Sequence, residues 1–206
     1  MNLLLKHCIL VFISLTNLPV KGQLPEIPTD ISPILVGERI VDSDLFDSNG
    51  KEVSLYSLIE GKRTIIVFYR GYWCPRCLRY LETEYVPNIS IIEDLGYQLI
   101  TICPDAPSYL LATSKETRLD TKHLYSDING NLIRLIGLGF QANKYSNYIN
   151  KTSEGTNTDF ILPVTSVYII DPKFKVLINY ITPNAVNGEE RMQWELLYPI
   201  LKALNN

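Results

Sequence analysis

Cys74 and Cys77 stand two residues apart in the stretch "IIVFYRGYWCPRCLRYLE", which runs from Ile65 to Glu82. An apolar run precedes them, Pro75 and Arg76 separate them, and a polar stretch of helical character follows. Two thiols at such a seam admit a redox pair, half of a metal site or a structural bridge. The run "TIIVFY" (Thr64 to Tyr69) is β-branched and aromatic, which predicts a strand covered on both faces. Pro75 suits the first position of a helix, where no N–H is needed. The seam thus sets Cys74 at the carboxyl end of a strand and the start of a helix, the edge where open α/β sheets carry their chemistry. Unpaired N–H groups and the helix dipole favour negative charge there. In C-x-x-C motifs a thiol pKa falls from ~8.5 toward ~7 or lower, and Arg70 and Arg76 add positive charge on either side. Cys74 is then the attacking sulfur. Cys77, one turn inside the helix, is placed to resolve the product into a Cys74–Cys77 disulfide.

The alternatives are poorer fits. Zinc wants four ligands, and beyond Cys74 and Cys77 only Cys103 and His123 are available after the first residues, without ligand spacing. No metal and no cofactor are expected. A structural bridge across so short a loop stabilises little, and three cysteines do not make a disulfide scaffold.

The chain's 206 residues suffice for one domain with its own core, and 46% hydrophobic with 20% charged residues is a globular composition. A net charge of −3, spread without a basic block, predicts neither nucleic acid nor an anionic membrane as partner. "MNLLLKHCILVFISLTNLPVKG" has a Lys6-bearing start, an apolar middle from Cys8 to Leu15, and the small Gly22 at its end. That is the layout of a secretory signal, too short to span a bilayer as a mature helix. The expected organisation is a signal peptide at 1–22, an extended lead-in at 23–37 and one domain at 38–206. The product would be exported, periplasmic or extracellular, with no membrane association after cleavage.

Further elements follow from pattern. "RIVDSDLFDSNGKEVSLYSL" predicts an N-terminal hairpin turning at Asn49-Gly50. A helix from Pro75 to about Asp94 should be kinked or divided at Pro87. "YQLITIC" (Tyr97 to Cys103) predicts a second buried strand, followed by a helix entered through Asp105 and prolines. "HLYSD" reads as a short strand and Leu132 to Ile136 as a brief helix. Gly137 to Phe160 reads as a polar, partly helical insertion. "VTSVYIID" and "VLINYI" form a second hairpin, and Gly188 to Leu204 a closing helix limited by Pro199. Together these predict an α/β fold, a central mixed sheet flanked by helices.

"VFYRGYWCPRC", "GYQLITICPDAPSYL", "HLYSDINGNLIRLIG" and "LPVTSVYIIDPKFKV", in that order, resemble the thioredoxin-fold redoxins. More narrowly the chain is similar to the peroxiredoxin-like branch of the alkyl hydroperoxide reductase C and thiol-specific antioxidant superfamily, from about Glu38 to the C-terminal helix. The resemblance implies a thioredoxin-like fold, Cys74 as the peroxidatic or disulfide-attacking thiol and Cys77 as its partner. It also implies a hydroperoxide or disulfide substrate and a thioredoxin-like or other thiol electron donor. Two positions depart from the family pattern. Relatives carry a Thr or Ser upstream of the cysteine to position peroxide, whereas Gly71 stands three residues before Cys74 and no Thr or Ser lies between Ile65 and Cys74. Relatives also read "LPVP" where this chain has Thr165. A cis bond before a non-proline costs ~3 kcal/mol, so a trans peptide is expected, with the Thr165 hydroxyl a candidate partner for the thiolate. Cys103 is a candidate third thiol or a small buried core residue. Trp73, with Tyr72, is a candidate lid or docking patch. "NIS" at Asn88 and "NKT" at Asn150 are glycosylation patterns in a eukaryotic source. Three functions stay open here: a peroxide-reducing antioxidant enzyme, a thiol–disulfide oxidoreductase, and a binding module built on an inactive redoxin.

Overall fold

The computed structural model describes residues 23–182 and 191–205. The signal segment expected at 1–22 lies outside them. Among the described residues no helix is long and apolar enough to cross a membrane.

The lead-in runs extended apart from one 3-10 turn at Pro28–Asp30. A hairpin follows, β1 (Asp44–Phe46) antiparallel to β2 (Glu52–Ser54). Its turn is held by the Asp47 carboxylate, which accepts the N–H groups of Asn49 and Lys51 at 2.8 and 2.9 Å. The second arm stops sooner than the sequence suggests. Ser54 caps a short helix, α1 (Leu55–Ile59), because its hydroxyl accepts the Ser57 N–H.

β3 (Arg63–Phe68) leads to the cysteines and to α2 (Pro75–Tyr80). As expected from Pro87, which lacks an N–H, the long helical stretch is divided. It loosens into a π turn at Leu81–Tyr85, tightens to a 3-10 turn at Val86–Asn88 and resumes as α3 (Ile89–Asp94). β4 (Tyr97–Cys103), α4 (Pro107–Thr117), β5 (Leu124–Ser126) and α5 (Asn131–Leu135) follow. The insertion contains more order than its polar composition suggests. β6 (Gly139–Gln141) pairs with β7 (Ile161–Pro163), and α6 (Ser146–Thr152) lies between them. β8 (Ser166–Ile170) and β9 (Val176–Ile181) form the second hairpin. The closing helix, α7, spans Trp194–Asn205, and residues 191–193 are not helical. It begins where the Glu84 carboxylate accepts the Trp194 N–H at 2.9 Å. It continues past Pro199 because Leu197 and Leu201, on either side of that residue, both stay buried. Residues 188–190 of the expected helix lie outside the described residues.

The main sheet has seven strands in the order β2-β1-β5-β4-β3-β8-β9. β3 is parallel to β4 and antiparallel to β8, so the sheet is mixed, with the strand that leads to Cys74 deep inside it. Successive side chains of β3 leave opposite faces. Ile65 and Val67, with Tyr69 just beyond the strand, pack toward Cys77, Leu81, Ile92, Leu197 and Leu201. Ile66 and Phe68 pack toward Ile40, Leu55, Ile59, Leu132 and Ile133. Each such buried aliphatic side chain contributes about 1.5–3 kcal/mol. This two-sided burial fixes where the strand ends, and therefore where Cys74 emerges.

Candidate active site

Cys74 is the N-cap of α2, in extended backbone geometry, with Pro75 as the first helical residue. The Cys77 N–H donates to the Cys74 carbonyl at 2.9 Å and is shared with Cys74 Sγ at 3.3 Å, and the amide dipoles at a helix start favour anionic sulfur. The two cysteines are joined as a disulfide, their Cα atoms 5.3 Å apart. Cys74 retains 8% exposure and Cys77 none, so incoming reagents reach the pair through Cys74.

The loop before Cys74 is tied from behind. The Tyr72 N–H donates to Asp105 Oδ2 at 2.5 Å, and a Cβ at Gly71 would meet Asp105 Oδ1 at 2.5 Å. Gly71 also has φ +128, which side chains rarely adopt. The missing hydroxyl residue thus has a physical reason: the Asp105 carboxylate fills its space. The same carboxylate accepts from the Thr152 side chain of α6 and from the Cys103 thiol at 3.7 Å. Asp105 therefore ties the C-x-x-C loop, the end of β4 and the insertion to one point.

Burial pushes Asp105 up to about 6, against the lowering effect of its Thr152, Tyr72 and Cys103 partners. Below the unfolded value of ~3.9 both states are neutral. As pH rises from there to about 6 the unfolded chain ionises first, so this group removes stability over that window and by a constant amount above it. Asp127, which accepts the Ile133 N–H at 2.9 Å, is raised by burial to about 7 and acts in the same sense. Urea unfolding from pH 4 to 6 should show the wild type losing stability relative to Asp105→Asn by about 1 kcal/mol per pH unit. Parallel curves would remove Asp105 from this role.

Cys103 is free, fully buried, and its thiol is pushed well up, first by burial and then by the Asp105 charge. It stays a thiol, sealed beside Tyr69 and Asp105, and takes no part in the disulfide. Trp73 lies against two rings of the insertion, stacked on Tyr148 at 5.4 Å and 17° and tilted against Tyr145 at 5.0 Å. Tyr72 meets Tyr109 at 5.8 Å. Tyr145 also lines a cleft of about 250 Å³ with Arg70, Lys144, Phe140 and Pro28. Arg70 Nε is buried in that wall without a hydrogen-bond partner. The Arg76 side chain is exposed, while its carbonyl accepts from Arg191 Nη1 at 2.6 Å. Thr165 is buried, its carbonyl accepting the Thr182 N–H at 3.1 Å and the Thr182 hydroxyl at 2.9 Å. The described residues contain no cis peptide, so the Val164–Thr165 bond is trans, and the Thr165 hydroxyl has no hydrogen-bond partner.

Sequence reasoning missed Arg191, Tyr145 and Tyr148, and saw Asp105 only as a helix entrance. No spacing connects any of them to Cys74; only the Pro104-Asp105 block held a signal. His123 is bonded to β4, its Nδ1 on the Leu99 carbonyl at 2.9 Å, and Glu84 is spent on the start of α7. Among the described residues no three His, Cys, Asp or Glu side chains gather as a metal site.

With this geometry established, known proteins can be compared. Residues 36–178 match the model of the AhpC/TSA family. No match is found among curated protein sequences. A thiol peroxidase from Chromobacterium violaceum superposes with a TM-score of 0.65 at 16% identity, covering 87% of this chain and 91% of its own. Peroxiredoxin 5 from Alvinella pompejana gives 0.63 at 18%, covering 83% and 99%. A putative protein disulfide isomerase from Bacteroides thetaiotaomicron gives 0.53 at 20%, covering 89% and 92%. At these identities the superpositions speak for the fold, a thioredoxin-like one. The family match spans more than half of the sequence and encloses Cys74 and Cys77: the chain belongs to the AhpC/TSA family and is a thiol-based oxidoreductase.

Proposed function

We propose that the chain is an antioxidant peroxidase in which Cys74 reduces hydroperoxides and Cys77 resolves the product. The Cys74 thiolate attacks the terminal peroxide oxygen, the O–O bond breaks, and the alcohol leaves after taking a proton. The sulfenic acid formed on Cys74 is then attacked by the Cys77 thiolate. An S–S bond forms as hydroxide departs and is protonated to water. A thiol donor returns the pair to the dithiol. The observation that carries this reading is the joined pair itself, with its one accessible sulfur at the start of α2. Export of the chain, drawn from residues 1–22, is part of the same proposal.

A second reading has its own support. Gly71, closed off by Asp105, leaves no hydroxyl three residues before Cys74 to hold a peroxide, while a C-x-x-C pair suits exchange with protein disulfides. Substrate turnover separates the two. Fast hydrogen peroxide consumption with a dithiol donor, and slow reduction of a protein disulfide such as insulin, is expected. The opposite ranking would replace the peroxidase with a disulfide reductase.

A further inference from the structure

Arg191, just before α7, is a buried cation that the chemistry above leaves unused. It is 4% exposed. Its Nη1 is spent on the Arg76 carbonyl, its guanidinium lies 5.2 Å from the Tyr80 ring centroid, and its Nε has no partner. Its Nη2 points at Cys77 Sγ, 3.8 Å away. Among the described residues the ion pairs are Lys122–Glu93 and Arg134–Asp159, so no carboxylate of those residues neutralises Arg191. The groups around it do not supply an anion either. Tyr80 donates to the Met192 carbonyl and is held protonated by burial, as is Tyr85 beside it. Glu84 accepts the Trp194 N–H, Tyr180 has a partner of its own, and Arg70 and Arg76 add like charge. A buried charge is strongly unfavourable unless it is paired, and here it is aimed at a sulfur that can become an anion once the disulfide opens.

We propose that the redox cycle itself makes a counter-ion: Arg191 holds Cys77 as a thiolate whenever the disulfide is open. Arg191 is thereby a positioning and charge-stabilising residue for the second cysteine. The proposal rests on the dithiol–disulfide cycle of the preceding section but not on which oxidant drives it. In recycling, a donor thiolate attacks Cys74 Sγ, the Cys74–Cys77 bond breaks, and its electron pair goes to Cys77 Sγ against the guanidinium. The mixed disulfide on Cys74 is then cleared by a second donor thiol, which releases the Cys74 thiolate and leaves as the donor disulfide. A leaving thiol of lower pKa departs faster. In the resolving direction the same thiolate is already ionised for attack on the sulfenic acid. The cation therefore serves both half-cycles, and the buried cysteine, not only the exposed one, is acidic.

The test titrates Cys77 alone, in Cys74→Ser protein that also carries Cys8→Ser and Cys103→Ala, by thiolate absorbance against pH, with no substrate present. Cys77 should ionise at least about one pH unit below an ordinary cysteine. In the same background R191M should return it to the ordinary range, with about tenfold less thiolate near neutrality, while R191K should keep most of the acidity. A structural role alone would treat the Met and Lys variants alike. A Cys77 of ordinary pKa in the parent overturns the proposal outright, and so does unchanged acidity in R191M. Should R191M fail to fold, R191K decides: retained acidity upholds the proposal and an ordinary value overturns it. With both cysteines present, R191M should be reduced by dithiothreitol about tenfold more slowly at neutral pH. Failure of wild-type protein to consume peroxide would remove the peroxidase reading and leave this titration untouched.

Discussion

Cys74→Ser is expected to consume hydrogen peroxide at least about a thousandfold more slowly than the wild type while remaining folded. A serine hydroxyl at position 74 is not ionised at neutral pH and cannot form the sulfur–oxygen species that Cys77 resolves. The fold has little reason to fail. Serine is a favoured N-cap residue, and its oxygen can accept the Cys77 N–H that Cys74 Sγ accepts now. The disulfide closes a loop with a sequence separation of 3, so its loss should cost little chain entropy. Stopped-flow peroxide decay, read beside a thermal melt, checks both halves. Undiminished turnover in a well-folded variant would move the nucleophile away from position 74.

Gly71→Ala should be the most damaging single-methyl change in the site. The new Cβ would stand 2.5 Å from Asp105 Oδ1, at φ +128. Backbone strain of about 1–3 kcal/mol adds to overpacking of about 1–3 kcal/mol against the buried Asp105. Relief would come by pulling the Tyr72 N–H off the carboxylate, which displaces Cys74 two residues later. Both stability, by about 3 kcal/mol or more, and turnover, by about tenfold or more, should fall. Gly61→Ala is the control: φ there is +73 and nothing lies within 4 Å of the added carbon. It should cost about 1 kcal/mol and leave turnover unchanged. Equal effects in urea unfolding of the two variants would show that conformation alone, and not the Asp105 contact, accounts for Gly71.

Much of the frame was legible because its signals are local. "TIIVFY" could only be a doubly covered strand, Pro75 marked the start of α2, and Pro87 divided the helix behind it. These readings locate Cys74 on the sheet edge without tertiary information. Errors gathered where long-range contacts decide. β6 and β7 have only three residues each, and their pairing brings together positions twenty or more residues apart. The start of α7 is set by Glu84, 110 residues upstream. The same distinction divides the site. Cys74, Cys77 and Pro75 announce themselves by spacing, and Arg70 and Arg76 by adjacency. Arg191 reaches Cys77 across 114 residues, and in sequence it is one polar residue at the edge of an amphipathic helix. Gly71 looked like a defect in a peroxide pocket until Asp105, distant in sequence, was seen to occupy the missing side chain's volume.

With Cys103 sealed and the other two cysteines of the described residues bonded to each other, the folded oxidised protein is blind to maleimide over residues 23–182 and 191–205. Unfolding uncovers a single sulfhydryl in that span. Label incorporation within it, read by peptide mapping, then counts opened molecules one for one, giving a gauge of conformational exposure that needs no added fluorophore and no engineered cysteine.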